Sequence, residues 1–284
     1  MITIRQVYNS CGIACVLMGL KPNKNKRLDE ILRKLEKKIT KKLKISDFRY
    51  GFTDRVQFAV TWLIFKVLFS ENALKKELKK ILPEFDDIKS LVISKLDEML
   101  IYQSTRPDST IEKDLKLMYN KGKVTYNLLK AYLEEQKTHF ELMLLGSIFG
   151  MKKVQIAESE GGNPLGLISE VDPRDPETYV KKVETLSKNL LNGIILANYE
   201  YHWLVLRRIG SRIEKFTKEE QETESAKDLE FMPHYFIFNN PLSTITATRV
   251  KKIELMTKYN FYCFDVDLKQ QEAGLKLIKS EFKL

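Results

Sequence analysis

Cysteine is scarce in this chain: Cys11, Cys15 and Cys263 are the only three in 284 residues. An odd, sparse set gives no disulfide framework and fits a reducing cytosol, so a cysteine here can be present for its chemistry. Histidine is equally rare, which limits any imidazole base to His139, His202 or His234. Long hydrophobic runs are missing too. The longest, VQFAVTWLIFKVLF from Val56 to Phe69, is too short to span a bilayer and carries Lys66. The opening MITIRQ lacks the basic and apolar regions of a secretory signal, and Ile2 excludes N-myristoylation. No membrane partner is expected, and the expected location is cytoplasmic. Internal repeats and low-complexity tracts are absent, which excludes a solenoid.

What is present is an ordinary globular composition, 43% apolar and 30% charged, sufficient for a sizeable core. The net charge of +10 is unevenly placed: residues 21–49 hold twelve Lys or Arg against four Asp or Glu. Within that segment Leu28, Ile31, Leu32, Leu35, Ile39 and Leu43 recur at three- and four-residue steps, predicting an amphipathic helix with a lysine-rich outer face. Such a face is ordinarily a solvated one, and its alternative at 28–45 is an acidic partner or substrate. No aromatic residue is interleaved with the lysines, which argues against nucleic acid.

The order of elements predicts the class. A short apolar helix is expected at 11–20, stopped before Pro22. Further helices are expected at Asp54–Phe69, Asn72–Leu82, Asp86–Tyr102, Thr110–Tyr119, Thr125–Gln136 and Pro176–Asn192. Phe140–Gly150 suits a helix or a strand, and a short strand is expected at Lys152–Ala157. From Ile194 the period becomes that of strands, at 194–199, 203–209, 212–216, 235–239 and 262–266, with a polar surface block at Lys218–Asp228. Helices followed by an antiparallel sheet make an α+β protein.

The candidate chemistry begins at RQVYNSCGIACVLMGL, where Cys11 opens the first helix. A thiol there meets unpaired backbone N–H groups and the positive end of the helix dipole, both of which favour the thiolate. A nucleophilic thiol also needs a base, and the base needs a group that holds its tautomer. His202 starts a strand in YHWLVL and suits the first role. Asn240, where YFIF runs into NNP, suits the second, with Asn239 as its competitor. Gln6 supplies an amide N–H for an oxyanion, beside the backbone N–H of Cys11.

A glutamine shortly before Cys-Gly, then His-Trp opening a strand, then Asn-Pro closing another, resembles the papain-like cysteine peptidases. The branch it most resembles holds the bacteriocin-leader peptidases, the guanylyl cyclase domain-containing proteins, similar in SCGIACVLMGL and FIFNNP, and actin maturation protease, similar in its Gln-x4-Cys-Gly spacing. Two departures stand out: Ser10 occupies the position before the cysteine that is usually Asp or Asn, and the third site residue is Asn where many relatives use Asp. The resemblance implies a papain-like fold, an N-terminal nucleophile helix packed on a C-terminal antiparallel sheet. Residues 1–20 and 123–284 would form the catalytic domain, and 21–122 a helical basic insertion acting as a cap or a substrate- or partner-binding subdomain. It implies Cys11 as nucleophile, His202 as general base and acid, Asn240 as orienting group and Gln6 as oxyanion donor, acting on a polypeptide without cofactor or metal. With Cys11 so near Met1, control is expected from substrate access and not from an inhibitory propeptide.

Deamidation and transglutamination use the same parts as peptide hydrolysis. A catalytically silent peptide-binding module would keep the fold without turnover. Nucleotide cyclisation, suggested by the name of one similar family, needs paired carboxylates for Mg²⁺ and a phosphate cradle. Asp265 with Asp267, and Asp172 with Asp175, read as solvated surface instead, and the glycine-rich 160–166 lacks the strand, spacing and lysine of a phosphate loop. Cys11 with Cys15, four apart, matches no standard zinc spacing.

Overall fold

The computed structural model describes residues 4–21, 24–45, 51–69, 72–104, 126–134, 139–153, 194–199, 202–211, 234–239, 247–250 and 260–284. The expected helices at 110–119 and 176–192, the strand at 212–216, the loop at 160–166, the block at 218–228, the acidic pair 172 and 175, and Asn240 lie outside them. Helices and one antiparallel sheet make the protein α+β. Two compact units divide it: Gln6–Ile13, Pro22–Gly150 and Leu268–Leu284 form one, and Met1–Arg5, Ala14–Lys21 and Met151–Asp267 the other. No described helix is long and apolar enough to cross a membrane.

The first unit is helical. Its members are α2 (Lys26–Leu43), α3 (Phe52–Phe69), α4 (Ala73–Ile81), α5 (Phe85–Ser104), α6 (Tyr126–Glu134), α7 (His139–Ile148) and α8 (Leu268–Phe282), and it also holds the first turn of α1 (Cys11–Leu20). The side chains of Asn25 and Asn72 accept from the amides of Leu28 and Lys75, capping α2 and α4. Leu28, Ile31, Leu32, Leu35 and Ile39 are all buried, as the period of α2 predicts. The apolar run of α3 is buried almost all round, which makes it the centre of this unit. The segment 140–150, ambiguous by pattern, is helical as far as Ile148 and then turns.

Helices α6 and α7, assigned by resemblance to the catalytic part, share this unit with the helices of 21–122. A buried polar link shows why. Glu141 on α7 accepts from the phenol of Tyr132 on α6, and also from Lys95 Nζ on α5 at 3.0 Å. Helix α8 closes the unit alongside α2. Near its start, Gln271 accepts from Asn25 Nδ2 at 2.7 Å and donates to the Phe149 carbonyl at 3.1 Å. Near its end, Lys38 donates to the Phe282 carbonyl, and the Phe282 ring meets Trp62 edge-on at 4.9 Å. The two helices therefore run parallel.

The second unit holds the sheet, formed by β1 (Met151–Lys153), β2 (Ile194–Tyr199), β3 (His202–Ser211), β4 (His234–Asn239), β5 (Ala247–Val250) and β6 (Asn260–Val266). Their order is β1-β6-β2-β3-β4-β5, with every pairing antiparallel. Leu196 pairs with both Val205 and Tyr262, and Ile194 pairs with Phe264, so these buried residues share one face with Trp203. The Trp203 and Tyr262 rings confirm it, 5.1 Å apart. Helix α1 covers this face: a Cβ on Gly19 would lie 2.5 Å from Ile194 Cγ2, so the absence of a side chain allows the close approach.

Burial pushes the Tyr262 phenol up from 10.0 to about 12. The folded state thus holds this proton more tightly than the unfolded chain. The stability it contributes is complete below pH 10.0 and lost as pH rises toward about 12. Urea denaturation across that window is expected to show a steeper decline for the parent than for Tyr262→Phe.

Candidate active site

Cys11 is the first residue of α1 and is buried, as are all ten residues of that helix. Gly12 beside it is required for packing, because a Cβ there would stand 2.5 Å from Leu142 Cδ2 on α7. Cys15, one turn on, is fully buried in the core. The thiol therefore starts a helix whose first turn is held close against α7.

The five residues before Cys11 form a pinned turn. Tyr8 adopts a left-handed backbone, φ 52°, uncommon for a residue with a Cβ and sustained here by surrounding bonds. The Asn9 amide donates to the Leu133 carbonyl at 2.9 Å, and its side chain donates to the Glu134 carbonyl, both at the end of α6. The Val7 amide donates to Ser10 Oγ at 2.8 Å and to Gln57 Oε1 at 3.3 Å. Ser10 Oγ in turn donates to Gln57 Oε1 at 2.5 Å. Ser10 and Gln57 are both fully buried, and Gln57 is anchored on α3 by its own bond to the Thr53 carbonyl at 3.1 Å.

Gln6 lies in this turn. Its Nε2 donates to the Tyr8 carbonyl at 2.7 Å, which ties the side chain into the turn. Its Oε1 is buried with no hydrogen-bond partner among the described residues. Gln6 and Cys11 belong to the helical unit, whereas His202 and Asn239 belong to the sheet unit.

His202 opens β3 opposite Tyr199, half-buried, and its carbonyl accepts from Asn198 Nδ2 at 3.3 Å. By register it is in phase with Leu204 and not with Trp203 and Val205, the row that shares its face with Ile194. Asn239 is the Cα partner of Val205, three positions along β3 from His202, so the two are out of phase in the pleat. His139 opens α7 and His234 opens β4.

The two carboxylates of the alternative chemistry have protein partners. Asp267 follows β6 and pairs with Lys152 Nζ at 2.6 Å, while Asp265 accepts from the Val266 amide. No cluster of metal-ligating residues occurs among the described residues.

Gln57 and Ser10 are the residues of this region that sequence reasoning did not single out for the turn. One signal was available. In the apolar run of α3, Gln57 and Thr61 stand one turn apart as polar, fully buried residues, and Thr61 Oγ1 donates to the Gln57 carbonyl at 2.9 Å. A buried polar stripe on an otherwise apolar helix must have a partner, since an unmade bond there is costly. No family model matches the chain, and neither a curated protein nor a solved structure matches it.

Proposed function

We propose that the chain is a cytoplasmic cysteine peptidase of papain-like fold. The observation that carries this reading is Cys11 at the first position of α1, behind a hydrogen-bonded turn that also holds Gln6. The ordered recurrence of Gln6, Cys11-Gly12, His202-Trp203 and Asn240-Pro241 along the chain supports it. In the proposed reaction Cys11 attacks the scissile carbonyl as a thiolate, its proton having passed to His202. Gln6 Nε2–H and the Cys11 amide stabilise the tetrahedral oxyanion. His202 then protonates the leaving amine, and water activated by the same imidazole releases the acyl group from sulfur. Asn240 is the proposed orienting group, with Asn239 as its competitor.

The lysine face of α2 supports an acidic substrate segment or partner. Lys42 lies over the Trp62 ring at 5.0 Å, and burial, then Lys66 and Lys38, hold its ammonium below the usual lysine range. An acidic group arriving there would relieve this crowding of like charge.

Iodoacetamide labelling with peptide mapping at neutral pH tests the catalytic reading. Cys11 is expected to react about ten times faster than Cys15 and Cys263, the ratio that one unit of thiol pKa gives. His202→Ala is expected to remove the difference. Equal reactivity of the three thiols, or a Cys11 rate indifferent to His202→Ala, overturns the proposal.

A further inference from the structure

We infer that Gln57, on α3, is a positioning residue for Cys11, acting through Ser10; this rests on the reading of Cys11 as the nucleophile. A serine immediately before a helix ordinarily turns its side-chain oxygen to the amides of the first turn and caps them. Ser10 does not. Its hydroxyl accepts from the Val7 amide at 2.8 Å and donates to Gln57 Oε1 at 2.5 Å, two bonds that point it back along the turn. The first-turn dipole of α1 is thereby left to the thiol and not neutralised by a serine oxygen.

The same arrangement fixes where Cys11 begins. Gln57 Oε1 receives both the Ser10 hydroxyl and the Val7 amide, at 2.5 and 3.3 Å, so one buried oxygen ties together both ends of the four residues before the nucleophile. Its rotamer is held by the Nε2 bond to the Thr53 carbonyl, one turn earlier on α3. Nothing in this set has an exposed alternative, because Ser10 and Gln57 are both fully buried. Helix α3 belongs to the segment 21–122, which the resemblance treats as an addition to the minimal fold. By this inference that segment supplies a side chain on which the nucleophile's geometry depends, and it serves the chemistry as well as any substrate recognition.

The test is the pH profile of Cys11 alkylation by iodoacetamide in the full-length chain, with circular dichroism and thermal melting alongside. Ser10→Ala and Gln57→Leu are expected to move the midpoint of the profile upward and to slow Cys11 about tenfold at neutral pH, one unit of thiol pKa. Ser10→Thr, which keeps the hydroxyl, is expected to restore most of the rate. Thr61→Val removes a buried bond from the same helix without touching the turn, and is expected to lower the melting temperature and leave the profile in place. Folded Ser10→Ala and Gln57→Leu variants with the parent profile overturn the inference, as does a shift with Thr61→Val equal to theirs. Should both turn variants fail to fold, hydrogen exchange in the parent decides. The Val7 amide is expected to exchange far more slowly than in the urea-unfolded chain, and exchange at the unfolded rate rejects the inference. A parent Cys11 no more reactive than Cys15 overturns both the function and the inference, whereas a reactive parent with unmoved variants overturns this inference alone.

Discussion

Glu141→Ala is expected to destabilise the protein by about 3–5 kcal/mol, the cost of removing one partner of a buried ion pair. Its carboxylate is 1% exposed and faces Lys95, whose side chain is 16% exposed. It also accepts from Tyr132, the largest fully buried side chain described. Burial first, and then the charge and hydrogen bond of Glu141, hold the Tyr132 phenol well above its usual range. It stays protonated and goes on donating. Removing the carboxylate therefore takes away the acceptor that an ammonium and a hydroxyl share, in a place where water has little access. Tyr132→Phe removes one charge-assisted bond and leaves the ion pair, so its cost is expected to be smaller, about 1.5–3 kcal/mol. Urea denaturation with an unchanged slope reads both values. A loss below about 1 kcal/mol for Glu141→Ala, the level of an exposed ion pair, would show that the three groups are not coupled as described.

Gly274→Ala is expected to destabilise, against the sign that helix propensity gives. In an exposed helix the change gains about 1 kcal/mol. Within α8, however, the new Cβ would lie 2.6 Å from the carbonyl oxygen of Ile148, the last residue of α7. That atom is backbone, so it cannot step aside by changing rotamer, and either α8 or the end of α7 must shift. Such overpacking costs about 1–3 kcal/mol. The Gln271 bond to the Phe149 carbonyl would be strained by the same displacement. A melting temperature equal to or above that of the parent would refute the close approach. Lys276→Ala, on the exposed side of α8, is the control expected to change little.

How much of this was legible depended on whether the cause was local. The limits of α1 follow from Cys11-Gly12 and from Pro22 shortly beyond its end, and the buried face of α2 follows from its period. The segment 140–150 carries a short apolar run that suits either structure, and its helical state is decided by Tyr132, Lys95 and Leu142 meeting partners on other helices. Helix α8 was not expected, although Leu268, Gln271, Leu275, Ile278 and Phe282 recur at helical steps. Its inward positions include a glutamine, so the pattern is recognisable only once Asn25 and Phe149 are known to meet it. The same holds for the turn before Cys11. The cysteine at a helix start was legible, but Ser10 appeared as a departure from a motif. Its purpose lies 47 residues away on α3, and no spacing rule reaches that far.

The parallel seating of α8 against α2 has a consequence for synthesis. The helical unit is assembled from residues 6–13, 22–150 and 268–284, with every described strand of the sheet encoded between the last two of these segments. As the chain emerges, Trp62 and Asn25 are made before the sheet, while Phe282 and Gln271, which cover them, are made after it. Until then the nascent protein carries an uncovered flank on its helical unit. Completion of the first-made layer therefore awaits a helix made after the whole sheet.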